Sequence, residues 1–169
     1  MEERHENEQY FFAPRTVADV CDVLDGFERL CVLCAPMVGA ELERRGRNDV
    51  TLDVDERFAS LKSFRKWDLF RPQRIETKFD VIFCDPPFFN ASLSQLFRAF
   101  RMLAHFDFGQ KMALSYLKRR EDAVLGTFAP FGLKPTGFCP AYQTVQKCER
   151  NDIEVYANFA FAGECDDNN

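Results

Sequence analysis

Asp85-Pro86-Pro87-Phe88 stands directly after the apolar run Val81-Ile82-Phe83-Cys84. An acid, two rigid prolines and an aromatic are thereby presented at the end of what reads as a buried strand, the place where ligands gather in open α/β sheets. Proline has no N–H and holds the chain extended, so the Pro86 carbonyl is left to accept a hydrogen bond beside the Asp85 carboxylate. Two such acceptors orient an –NH2 group. With its hydrogens held away, the nitrogen lone pair is aimed at an electrophilic methyl group, and positioning of this kind supplies much of a rate enhancement. Phe88 is placed to stack on a flat substrate. A capped strand end with Phe88 in the core would explain each residue singly but not the four together.

Other elements must bring further groups to the same edge. Short apolar runs alternate with amphipathic segments, without internal repeat or low-complexity linker, which is the pattern of an α/β sheet. Residues 17–24 predict a helix with Val17, Val20, Cys21 and Leu24 on one face, closed at Gly26. Strands are expected over 29–34, 50–54, 64–70, 79–84 and 111–117, with helices over 36–45, 90–104 and 119–127. Segments 133–139 and 153–161 read as two strands with no long helix between them, hence an antiparallel hairpin closing a mostly parallel sheet. One domain over 9–161 follows, with 1–8 and 164–169 expected to be flexible tails.

Asp-Pro-Pro-Phe after an apolar strand resembles the fourth motif of amino-methyltransferases. Further segments, from about Gln9 to Phe161, resemble one group, the eukaryotic probable N6-adenine methyltransferase family. The resemblance implies a Rossmann-like class I fold, seven strands ending in an antiparallel hairpin, with S-adenosyl-L-methionine as cofactor. It implies an N-methyltransferase acting on a macromolecule: adenine N6 of RNA or DNA, or alternatively a lysine of translation elongation factor 1A.

Gln9-Tyr10-Phe11-Phe12 with Thr16 is similar to the family's opening aromatic segment, which implies cofactor contacts from Phe11, Phe12 and Thr16. Cys34-Ala35-Pro36 stands where ordinary methyltransferases carry a glycine-rich loop, with Gly39 the only glycine near it. Segment 52–58 resembles the acidic second motif, and an acid at the end of a second strand accepts from ribose hydroxyls. Asp55 is the preferred ribose ligand and Asp53 the alternate. Asp68 and Leu69 match a family acid and an apolar contact at the cofactor's adenine edge, and Asp85 lies where cofactor and acceptor meet. Phe138-Cys139-Pro140 and 155–159 are similar to the closing hairpin. Phe88 departs from the tyrosine expected of elongation-factor members and leans towards adenine.

Composition bounds the partners. A net charge of −5 opposes unassisted binding to a polyphosphate. A nucleic-acid acceptor therefore needs local basic patches, for which Arg44-Arg45-Gly46-Arg47, Arg65-Lys66 and Lys118-Arg119-Arg120 are candidates, or a partner subunit. The seven cysteines are read as free thiols. Cys31 and Cys34 would point to opposite faces of one strand, so no metal is expected. No run of about twenty apolar residues exists and the N-terminus is charged, so no membrane span or secretory signal is expected and the setting is intracellular, cytoplasmic or nuclear. Tyr142, in the loop before the last strand, is placed for a substrate contact, but a solvent-exposed tyrosine is the commoner explanation of such a residue.

Overall fold

The computed structural model describes residues 1–4, 9–145 and 152–161. Seven strands form one sheet in the order β3-β2-β1-β4-β5-β7-β6. β1 (Leu30–Leu33), β2 (Val50–Asp53), β3 (Phe64–Lys66), β4 (Val81–Cys84) and β5 (Lys111–Leu117) run parallel, and β7 (Ile153–Ala157) lies antiparallel between β5 and β6 (Lys134–Pro135). The expected closing hairpin is present, but its second strand is the inner one.

Central strands are buried on both faces, which explains their unbroken apolar sequence. Leu30, Val32, Val81 and Phe83 pack into one core with α1 (Pro14–Leu24) and α2 (Pro36–Arg44). Cys31, Leu33, Ile82 and Cys84 pack into the other, with α3 (Leu93–Leu103) and α4 (Glu121–Thr127). After β1 the chain builds outward through β2 and β3, then returns to place β4 on the other side of β1. The strand order thus reverses between β1 and β4, and a crevice opens beyond their carboxyl ends.

Several boundaries differ from the sequence expectation, each for a local reason. α1 begins at Pro14, because proline is favoured at a first helical position. α3 begins only after Ser92, whose hydroxyl accepts from the Gln95 N–H at 3.1 Å while the Gln95 side chain accepts from the Ser92 N–H at 2.9 Å, a capping box. Lys118–Arg120 form a 3-10 turn, and α4 starts at Glu121. β3 stops at Lys66, because the Asp68 carboxylate accepts from the Phe70 N–H at 2.9 Å and turns the chain. β6 keeps two residues, since Gly137 adopts φ 80° and bends the backbone away.

The first basic cluster is not a free patch. Arg45 pairs with Asp22, Asp25 and Glu41, Arg44 with Glu41, and Arg47 with Asp49. Arg45, just after α2, is thereby tied to Asp22 of α1 and to Asp25 just beyond it. Lys66 pairs with Glu56, whereas Lys118, Arg119 and Arg120 are exposed. Among the described residues, no helix is long and apolar enough to cross a membrane.

Gly39 has a packing role. A Cβ at this position would meet Thr51 Oγ1 at 2.2 Å and Cγ2 at 2.7 Å, and Thr51 is held by a 3.0 Å hydrogen bond to Ser63. α2 therefore lies on β2 at a distance only glycine permits. Gly39→Ala is expected to lower the unfolding free energy by about 1–3 kcal/mol in urea denaturation, with much of the loss recovered in the double variant with Thr51→Ala.

Candidate active site

One cleft opens at the carboxyl ends of β1, β2 and β4. Its walls gather Phe11, Phe12, Cys34, Ala35, Pro36, Asp53, Asp55, Asp85, Pro86, Pro87 and Phe88 from the residues anticipated by sequence. Thr16, Asp68 and Leu69 stand apart from it. The buried Thr16 hydroxyl accepts from the Ala141 N–H at 3.0 Å, Asp68 caps the turn after β3, and Leu69 is core. Gln9, Tyr10, Met37, Val54 and Tyr142 complete the lining.

Cys34 ends β1 with φ 57°, a left-handed conformation that turns the chain sharply into Ala35 and Pro36. That turn places Cys34 against the same core as Cys31. An uninterrupted strand would have sent the two thiols to opposite faces, so this expectation is corrected.

Two acids at the end of β2 have different surroundings. The Asp55 carboxylate is filled by protein donors: Arg57 Nη2 at 2.7 Å, Gln9 Nε2 at 2.8 Å, and the Arg57 N–H and Nε each at 3.0 Å. The Arg57 guanidinium, helped by Gln9, holds the Asp55 pKa down to about 2. Asp53 Oδ1 accepts from the Asp55 N–H at 2.9 Å, and no side-chain donor reaches it among the described residues. Burial, opposed by backbone N–H donors, raises its pKa.

Asp85 sits at the tip of β4, where its backbone N–H donates to the Leu33 carbonyl at 3.1 Å. Its carboxylate is buried, and Oδ1 accepts from the Tyr142 hydroxyl at 2.6 Å. Oδ2 has no protein donor among the described residues, and neither has the Pro86 carbonyl, whereas the Pro87 carbonyl accepts from the Ala91 N–H at 3.0 Å. Burial holds the Asp85 pKa well above the usual carboxylate range, with the Tyr142 hydroxyl pulling the other way. Tyr142, read as exposed from sequence, is partly buried and its ring lies 5.0 Å from Phe12 and 6.4 Å from Phe88. No local signal marks it, because it reaches Asp85 across 57 residues of chain. Phe88 stands edge-on to Tyr116 at 5.7 Å, leaving it part of the cleft wall.

Three carboxylates and no basic side chain line this cleft among the described residues. Such a lining suits a cationic ligand bearing hydroxyls and a flat apolar part. A model of the probable N6-adenine methyltransferase family matches residues 3–161. The chain belongs to that family. It is an S-adenosylmethionine-dependent methyltransferase, and the acidic, partly apolar cleft fits that sulfonium cofactor.

Solved structures agree on the fold. A proposed RNA methyltransferase from Pyrococcus horikoshii superposes with TM-score 0.59 at 16% identity, covering 92% of this chain and 89% of the other. Magnesium protoporphyrin IX methyltransferase from Synechocystis, solved with bound S-adenosylmethionine, gives 0.58 at 13% identity, covering 85% and 77%. The Mtq2–Trm112 complex of E. cuniculi, which methylates the eRF1 termination factor, gives 0.51 at 14% identity, covering 88% and 97%. No curated protein sequence matches the methyltransferase.

Asp55 carries a pH-dependent share of stability. Its depressed pKa means that the stabilisation is complete above the unfolded value near 3.9 and is lost as pH falls through about 2. The wild type is expected to exceed Asp55→Asn in unfolding free energy at pH 6, the gap narrowing between pH 4 and pH 2 in denaturant titrations.

Proposed function

We propose that the methyltransferase acts on the exocyclic amine of adenine in nucleic acid. The observation that carries this reading is the pair of acceptors without a donor among the described residues, Asp85 Oδ2 and the Pro86 carbonyl, beside Phe88. A second recess, lined by Tyr10, Phe88, Phe89, Leu117, Tyr142, Val145 and Ile153, adjoins them and shares three of those residues with the cofactor cleft. Among the described residues no charged side chain lines it, which suits a neutral planar base more than an ammonium group.

When bound, S-adenosylmethionine supplies an electrophilic methyl group on a sulfonium. Asp53, the acid with spare acceptor capacity, takes the ribose hydroxyls, while Asp55 is committed to Arg57 and Gln9. Phe11, Phe12, Ala35 and Pro36 wall off water around the cofactor. Asp85 Oδ2 and the Pro86 carbonyl each accept one hydrogen of the amine, which turns the nitrogen lone pair towards the methyl carbon. Methyl transfer leaves the sulfur with the electron pair of the broken bond and the nitrogen with one proton to lose. Asp85 Oδ2 is the nearest base for that proton, and its raised pKa favours taking it.

Charge supports a second acceptor. The net charge of −5 and the internally paired arginines Arg45 and Arg47 after α2 offer little to a phosphate backbone, and both are compatible with a lysine of elongation factor 1A. For adenine, the exposed Lys118-Arg119-Arg120 turn, a folded RNA or a partner subunit supplies the missing attraction.

Purified enzyme with methyl-labelled cofactor and a cell extract distinguishes the two. Label removed by nuclease and recovered as N6-methyladenine is expected, whereas label removed only by protease overturns the adenine assignment. Asp85→Ala is expected to lose transfer at least about a thousandfold while still binding cofactor in calorimetry. Asp53→Asn is expected to weaken cofactor binding about tenfold to a hundredfold and leave kcat at saturation within about threefold.

A further inference from the structure

The loop between β6 and β7 does more than complete a wall. Phe12 and Tyr142 form an isolated antiparallel bridge, flanked by hydrogen bonds from the Ala13 N–H to the Ala141 carbonyl at 2.8 Å and from the Gln143 N–H to the Phe11 carbonyl at 2.9 Å. Thr16 adds the bond to the Ala141 N–H. The segment that walls the cofactor cleft is thus stitched, residue by residue, to the segment that carries Tyr142. From this anchored backbone the Tyr142 ring passes between Phe12 and Phe88, and its hydroxyl reaches Asp85 Oδ1 at 2.6 Å.

We propose that Tyr142 is a positioning residue for methyl transfer, whose hydroxyl fixes the Asp85 carboxylate so that Oδ2 alone faces the acceptor amine. The proposal rests on the adenine-N6 reading for the identity of that amine. A carboxylate with two equivalent free oxygens could rotate and bind the amine in two registers. With Oδ1 occupied, rotation breaks a short hydrogen bond, and a single register remains. The same bond depends on the Phe11–Phe12 segment being seated, so a closed cofactor wall and an aligned acceptor go together.

The surroundings of the pair isolate this hydrogen bond. Cys84 on β4 faces both Asp85 and Tyr142 and neighbours Cys34 on the β1–α2 turn, Tyr116 on β5 stands behind Phe88, and Asp53 and Asp55 lie across the cleft. No basic side chain lines the cleft among the described residues, so nothing else there compensates the Asp85 charge. Ser115, fully buried and without a partner at hydrogen-bonding geometry, is close enough to Tyr142 to oppose the rise in its pKa. The phenol pKa is pushed up by burial and by Asp85, so the hydroxyl stays protonated and donates.

Tyr142→Phe removes the donor and keeps the ring. Its cofactor Kd is expected to stay within about twofold, and kcat to fall about tenfold to a hundredfold near neutral pH. Because the lost donor had lowered the Asp85 pKa, the acidic limb of the kcat profile is expected to move to higher pH, with activity recovering above it. A purely structural role would lower activity equally at every pH. Carbon-13 labelling of aspartate gives a readout without turnover, in which the Asp85 carboxyl titrates at higher pH in Tyr142→Phe than in the wild type. An unchanged limb with kcat within twofold, or an Asp85 titration at the same pH in both proteins, overturns the proposal. A wild-type enzyme that modifies no adenine refutes the substrate reading instead, and the carboxyl titration still decides the role of Tyr142.

Discussion

Burial of the Asp85 carboxylate is the constraint around which this site is organised. A carboxylate taken out of water is costly unless donors replace its hydration, and among the described residues a single donor reaches it, the Tyr142 hydroxyl. The remaining oxygen faces a cleft without a basic side chain among the described residues. A donor brought by a ligand would therefore replace hydration that the Asp85 carboxylate has lost, whereas an exposed aspartate would be satisfied by solvent and would gain much less.

That arrangement needs a rigid support, and the sheet provides it. Asp85 follows immediately on a strand buried on both faces, and its own N–H is held by Leu33 of the neighbouring strand. The two prolines after it remove the donors that would otherwise compete for nearby carbonyls and hold the backbone extended. Meanwhile the left-handed Cys34 turn ends β1 beside the same point, and Gly39 lets α2 approach β2 closely. A cleft forms because the strand order reverses here, between β1 and β4.

The remaining walls come from distant parts of the chain, held by polar contacts. Asp55 binds Arg57 and Gln9, and Arg57 also donates to the Glu2 carbonyl at 2.8 Å. Glu3 accepts from the Phe11 N–H at 2.9 Å and from the Thr144 hydroxyl. The opening segment is thus joined both to the end of β2 and to the Tyr142 loop. One acid of the second motif serves this clasp, leaving its neighbour Asp53 with spare acceptor capacity.

Local chemistry explains what was legible in the sequence. Burial on both faces makes the central strands read as apolar runs, and 3.6-residue spacing marks α1 and α3, so the parallel sheet and its closing hairpin are legible in the sequence. Asp85-Pro86-Pro87-Phe88 is recognisable because the four residues are consecutive and stand together at one strand end. Tertiary structure alone decided the rest. Asp53 and Asp55 are two residues apart with the same side chain, and only the placement of Arg57 and Gln9 separates them. Thr16 lies in a matching motif yet anchors a loop 125 residues away. Arg44, Arg45 and Arg47 look like a basic patch until their acidic partners, Glu41, Asp22, Asp25 and Asp49, are seen. Tyr142 has no neighbour in sequence that hints at Asp85. Side-chain type and spacing report short-range geometry, whereas which polar groups neutralise each other is set by long-range packing, and among the described residues that packing leaves Asp85 Oδ2 and the Pro86 carbonyl without a protein donor.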